Sequence, residues 1–309
     1  MVELLDARND FIFKKIFGSE NNKDVLLAFL NSTFMESGEP PLTEIILMNP
    51  YTDKDAPAEK QSILDIKAKT AEGKRINIEM QLFNPYNMEK RTLFYWSEMY
   101  YHQIQKGDDY SQLKKCVTIN ILNYSCLPND RHHNVFRLRE DHTGISLNND
   151  LEIHVMELTK LEEQTIPLTG GLINWLLFLK GVEQPNWEVL TMNEPMLKKA
   201  MDTLEFLSQD AATRMEYDAR MKYLRDEASR MNGAKAEGRA EGRAEGRAEG
   251  RAEGIAEGIA EGIAKGEQKR AEAIVLELLA LGVETSVILK ASGLTEQHIL
   301  RLKSQMGKH

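Results

Sequence analysis

The chain has 309 residues, with 48 acidic residues against 39 lysines and arginines, a net charge of −9 and 42% hydrophobic residues. These values suit one ordinary globular domain with appendages, and they exclude a disordered or fibrous chain. Two cysteines, Cys116 and Cys126, exclude a disulfide scaffold and point to a reducing compartment. The acidic total argues against a protein that coats nucleic acid over its whole surface and leaves room only for a local basic site.

The first residues carry acids early and do not read as a signal peptide. The longest strongly apolar run, at 172–179, is far too short to cross a bilayer. A cytoplasmic protein with no membrane partner is therefore expected. Asn9 or Asp10 can cap a first helix whose apolar face is Phe11, Ile12, Ile16 and Phe17. Val25, Leu26, Phe29 and Leu30 form a second such face. A strand is expected at 44–48, then a polar loop at 51–60, then two strands reading SILDIKAKT and KRINIEMQL. A helix follows from 88 to about 106, stopped by Gly107, with Leu93, Trp96, Tyr100 and Ile104 assigned to the core. Further strands are expected at 117–124, 134–139 and 151–158. Helix, strands, helix, strands implies an α/β (α+β) core, a mixed central sheet flanked by helices.

Residues 158–210 read as mostly helical, broken near 167–171 and at Pro185. From Ala236 the sequence runs AEGR four times, AEGI three times, then AKGE. A glycine every four residues costs a helix about 1 kcal/mol each relative to alanine. This segment is read as a long marginal helix, a spacer or weak oligomeric stalk. Three short helices are expected after it, at 273–281, 285–292 and 295–305. They form either a small self-packing cap or a helix-turn-helix unit. The division is thus a core at 1–160, a helical extension at 161–235, the repeat at 236–268 and a helical tail at 269–309.

The hairpin at 62–82 carries the candidate chemistry. A three-residue turn, Ala71-Glu72-Gly73, places Thr70 opposite Lys74 and Asp65 opposite Glu79. Alternation puts Leu64, Ile66, Ala68, Ile76, Ile78, Met80 and Leu82 on one face. Asp65, Lys67, Lys69, Arg75, Asn77, Glu79 and Gln81 share the other. Two carboxylates facing each other across a ladder repel unless a cation lies between them. Oxygen ligands of this kind suit Mg²⁺, which activates water and offsets charge on a phosphate under attack. Lys67, Lys69 and Arg75 then stand where flanking phosphates would be held. The alternative reading of the same pattern is a solvated polar face with the acids paired to the lysines.

Asn9-Asp10 with the following FKK, the segments LLAFLNSTF, ILDIKAKTAEGKRINIEMQ and KRTLFYWSEMYYHQIQKGDDY, and the strand VTINIL together resemble the Rpn family of recombination-promoting nucleases. That family is a transposase branch of the PD-(D/E)XK nucleases, and the resemblance spans about residues 5–160. It implies a restriction-endonuclease-like fold and a metal-dependent DNA endonuclease that promotes recombination, with Mg²⁺ (or Mn²⁺) as cofactor and DNA as partner. Asp65 and Glu79 match the two metal-ligating acids. Gln81 stands where the superfamily usually has lysine; it can orient water but is no general base. Asp10 matches the family's early acid, and a plain helix cap is its other reading. Arg91, with Lys90 beside it, suits phosphate contact, and Tyr95 one turn on can pack against Arg91. Arg131, His132, His133, Arg137 and Arg139 make a second basic cluster, read as a DNA groove lining or as solvated charge. The repeats and tail would space or join copies of the chain as a homo-oligomer. A catalytically weak DNA- or protein-binding module on the same fold is the alternative function.

Overall fold

A computed structural model describes residues 3–48, 66–84, 87–161, 171–181, 187–192 and 194–306. The loop at 51–60, residues 62–65 of the hairpin, the break at 167–170 and Pro185 lie outside the described residues. The chain divides into two compact units, Met1–Met231 and Asn232–His309.

In the first unit the order is α1 (Asp10–Phe17), α2 (Lys23–Glu36), β1 (Ile45–Met48), β2 (Ile66–Thr70), β3 (Arg75–Gln81), α3 (Met88–Tyr101), β4 (Cys116–Leu122), β5 (His133–Arg137) and β6 (Leu151–Glu157). Then follow α4 (Leu172–Lys180), α5 (Trp187–Thr191), α6 (Pro195–Gln209) and the start of α7 (Ala211–Ala280). The strands form one six-stranded mixed sheet in the order β1-β2-β3-β4-β6-β5. Pairs β3–β4 and β4–β6 are parallel and the others antiparallel. This is the α/β architecture that the alternation of strands and helices implies.

Local chemistry explains the elements that matter for the site. Asn9 is the cap of α1: its Oδ1 accepts hydrogen bonds from the Phe11 N–H at 3.0 Å and the Ile12 N–H at 3.3 Å. Asp10 is thereby placed in the first turn with its carboxylate available to other partners. The β2–β3 hairpin has the expected register: the Thr70 N–H donates to the Lys74 carbonyl at 2.9 Å, and Ile66 pairs with Ile78. Gly73 closes the turn at φ 92°, a left-handed conformation that glycine adopts without a Cβ clash. Ile66, Ala68, Ile76, Ile78 and Met80 then face one core with α1, α2, α4 and α6, in which Phe13, Phe17, Phe29 and Trp175 are fully buried. Residues of α4 and α6 contribute to this core as fully as those of α1 and α2.

The other sheet face is polar and is covered by α3. The helix ends at Tyr101, earlier than expected, with His102 as its cap. Its buried positions are Met88 and Thr92, whereas Leu93 is exposed. The reason lies in what α3 meets: Asn77, Glu79, Thr118 and Asn120 are buried beneath it, and the Thr92 hydroxyl donates to Asn120 Oδ1 at 3.1 Å. Trp96 and Tyr100 do face inward, each with its polar end bonded, to the Cys116 carbonyl at 3.0 Å and the Asp150 carboxylate at 2.8 Å.

In the second unit the tetrapeptide repeat is helical within α7 and exposed along its length. Helices α8 (Thr285–Ser292) and α9 (Glu296–Met306) enclose a small core of Val275, Ile288, Ile299 and Leu302.

Candidate active site

Glu79 lies near the C-terminal end of β3, paired with Asn120 of β4, and is 4% exposed. Burying a carboxylate this deeply disfavours its charged form. Accordingly burial pushes the Glu79 carboxyl above its ordinary range and the nearby Asp10 charge pushes it further; Arg91 and the Gln81 amide oppose them. Arg91 makes an ion pair with Glu79 from the first turn of α3, and its guanidinium lies 5.4 Å from the centre of the Tyr95 ring. The i, i+4 spacing of Arg91 and Tyr95 allows that stacking. Asn87, which precedes α3, has φ 54°, a left-handed conformation that asparagine tolerates, and its carbonyl accepts from the Arg91 N–H at 3.0 Å.

Asp10 comes from the other helix layer. Its carboxylate accepts from Arg220 Nε of α7 at 2.9 and 3.1 Å, and the pair holds the Arg220 guanidinium charged. Arg220 also lies over the Tyr223 ring at 5.0 Å. Gln81 is 7% exposed, and its Oε1 accepts from the Tyr124 hydroxyl at 2.6 Å. Nearby, Arg8 is held by Asp6 and donates to Asn123 Oδ1 at 3.1 Å.

The structure thus gathers Asp10, Glu79, Gln81 and Arg91. Asp65 lies outside the described residues. Lys67 pairs with Asn77, one strand-face position from Glu79. Lys69 and Arg75 pair with each other near the turn, and Arg75 Nη1 donates to the Met99 carbonyl at 3.4 Å. Four residues of strand separate Arg75 from Glu79, about 13 Å. Among the described residues no three histidine, cysteine, aspartate or glutamate side chains gather closely enough to hold a metal ion.

Three contributors escaped the sequence reading. Arg220 is 210 residues from Asp10, and no local pattern signals such a pairing. Tyr124 and Asn123 follow β4 directly. Parity would have placed Tyr124 on the face of Asn120 and Leu122. The second basic cluster divides: Arg131 and Arg139 are exposed, as the solvated-charge reading expects, whereas His133 and Arg137 join an internal network. His133 is buried; its Nδ1 faces Glu36 Oε1 at 3.0 Å and its Nε2 faces His154 Nδ1 at 2.9 Å. His154 Nε2 meets Glu152 Oε1 at 2.8 Å, while Arg137 and Lys115 pair with Glu152 at 2.7 and 2.9 Å. This network lies on the sheet face opposite Glu79, so Arg137 is an internal partner there.

A family model described as PD-(D/E)XK nuclease family transposase matches residues 7–234. The match extends well past residue 160, takes in Arg220, and stops just before the tetrapeptide repeat. No curated protein and no solved structure gives a significant match to the chain.

Proposed function

The chain belongs to the PD-(D/E)XK nuclease family transposases, and on that premise we propose that it is a metal-dependent DNA endonuclease whose site is built on Asp65, Glu79, Gln81 and Asp10. The observation that carries the reading is Glu79, a buried strand carboxylate near a second acid, with Arg91 on one side and Gln81 on the other. The role of Asp65 rests on its match to the family motif and on the sequence pattern that sets it opposite Glu79; the described pairs, from Ile66–Ile78 to Lys69–Arg75, have the register that this pattern expects.

The donor set suits a divalent cation. The nearby Asp10 charge opposes ionisation of Glu79, a conflict that a hard cation relieves, and carboxylate oxygens with water are the ligands Mg²⁺ or Mn²⁺ takes. Asp65 and Glu79 would hold it, with Asp10 as a further ligand or a positioning acid. When bound, it supplies charge stabilisation and a more acidic water. The chain's own residues do the rest. Gln81 orients the attacking water, whose oxygen bonds to phosphorus as the bond from phosphorus to one deoxyribose oxygen breaks. Gln81 accepts no proton, so the water proton passes to solvent or to the departing oxygen. Arg91 exchanges Glu79 for a phosphate oxygen, Lys67 serves the adjacent phosphate, and Lys69 and Arg75 serve phosphates farther along the duplex.

The helical C-terminal unit would join copies of the chain, since a double-strand cut needs two such sites. The second reading, a catalytically weak binding module, is favoured by the neutral Gln81 and by the arginine that each described acid already carries. Supercoiled plasmid with Mg²⁺ or Mn²⁺ separates the two. The endonuclease nicks it, and Asp65→Ala and Glu79→Ala abolish nicking and weaken metal binding in calorimetry. Equal cutting by these variants would remove the site assignment. Intact plasmid together with metal-silent wild-type protein would favour the binding module.

A further inference from the structure

The Gln81 side chain poses a question of orientation. Its oxygen and nitrogen differ in what they offer: Oε1 accepts and Nε2 donates. Two neighbours decide which way the amide lies. On one side the Tyr124 hydroxyl is 2.6 Å from Oε1. Burial pushes the Tyr124 phenol well above its ordinary range, so it keeps its proton and needs an acceptor. On the other side stands Glu79, two residues back on the same face of β3, whose ionised carboxylate has only acceptor oxygens. If the amide were reversed, two acceptor oxygens would oppose each other at Glu79. Both neighbours therefore select the same orientation, Oε1 to Tyr124 and Nε2 to the site.

In that orientation Nε2 is buried and makes no hydrogen bond of ordinary geometry among the described residues. A buried donor without a partner is costly and usually marks a position that a water or ligand fills. Tyr124 is itself fixed: it follows β4 directly and packs against the small cluster of Met88, Leu122, Ile153 and Val155 beneath α3. The anchor thus belongs to the rigid sheet.

We propose that Tyr124 is a positioning residue that locks the Gln81 amide with Nε2 presented to the attacking oxygen, so that position 81 supplies a neutral N–H donor. This inference rests on the nuclease reading for its chemistry, but the locked amide itself does not. The donor holds the water through its oxygen with a lone pair directed at phosphorus, and no proton transfer passes through Gln81 or Tyr124.

The test measures single-turnover nicking of supercoiled plasmid with Mn²⁺, plasmid affinity, and the side-chain amide signals of ¹⁵N-glutamine-labelled full-length protein. Tyr124→Phe is expected to slow the chemical step about tenfold, a fraction of what losing a whole transition-state donor costs, with plasmid affinity unchanged. In a Gln81→Ala background, Tyr124→Phe adds no further loss. The amide pair that disappears in Gln81→Ala shifts in Tyr124→Phe. Tyr124→His, which retains a ring and a donor, serves if the phenylalanine variant does not fold, and it holds the amide signals near their wild-type positions. Wild-type nicking by Tyr124→Phe, equal slowing with and without Gln81, or unmoved amide signals would overturn the proposal. Inactive wild-type protein with amide signals that still depend on Tyr124 would instead remove the nuclease reading and keep the lock.

Discussion

Replacing Arg91 with alanine removes the guanidinium from a carboxylate whose side chain is 5% exposed, while Arg91 itself is 31% exposed. Breaking a buried ion pair from one side typically costs about 3–5 kcal/mol, because the remaining charge is stranded. Arg91 is partly solvated, and Glu79 can escape by taking a proton, so about 2–3 kcal/mol is expected at pH 8. The pH dependence identifies the cause. Without Arg91 the folded-state value for Glu79, already raised by burial, rises further above the ordinary 4.5. Between those two values the folded state holds a proton that the unfolded state has released. Stability therefore falls as pH rises, by about 1.4 kcal/mol per pH unit per proton. At pH 5 the variant should lose less than about 1 kcal/mol by the same relation. Urea unfolding followed by tryptophan fluorescence reads this directly, because Trp96, Trp175 and Trp187 all lie in the first unit. Glu79→Gln in the Arg91→Ala background should recover most of the loss at pH 8. Equal destabilisation at pH 5 and pH 8, or no recovery by glutamine, would refute the stranded-charge argument.

Acid should unfold the first unit in two stages: burial holds His154 below 6.5, and hydrogen-bonded or paired Glu36 and Glu152 are held below 4.5. Stability is thus lost first as the unfolded histidine gains a proton below about pH 6.5 and again below about pH 4.5, with Glu79 opposing the trend; a flat urea midpoint from pH 7 to pH 4 would contradict this. In the repeat, replacing Gly238, Gly242, Gly246 and Gly250 with alanine puts each new Cβ in open space. Each change should favour the helix by about 1 kcal/mol, seen in far-ultraviolet circular dichroism as helicity that persists to higher temperature.

The legible and illegible parts of this protein divide by sequence distance and by face. The hairpin could be read because its turn residues and strict alternation act within twenty residues, so Thr70 met Lys74 and the apolar positions met the core. Leu93 was misassigned because helical periodicity assumes an apolar neighbour, whereas α3 lies on a polar sheet face and buries Thr92 instead. His133 and His154 belong to different strands, and only the β5–β6 register brings them to one side of the sheet. Arg220 was invisible for the same reason: a pair formed through tertiary packing leaves no mark in either local sequence.

The Asp10–Arg220 ion pair sets an order on the making of this site. A growing chain carries Asp10, Glu79 and Arg91 long before the start of α7 exists, so for most of its synthesis the acid at the first helix lacks its arginine. Truncating the chain after the sheet would freeze that condition. The two carboxylates would then repel each other with one guanidinium instead of two to quiet them, and a fragment limited to the nuclease-like sheet would differ in charge from the finished protein at its most sensitive point.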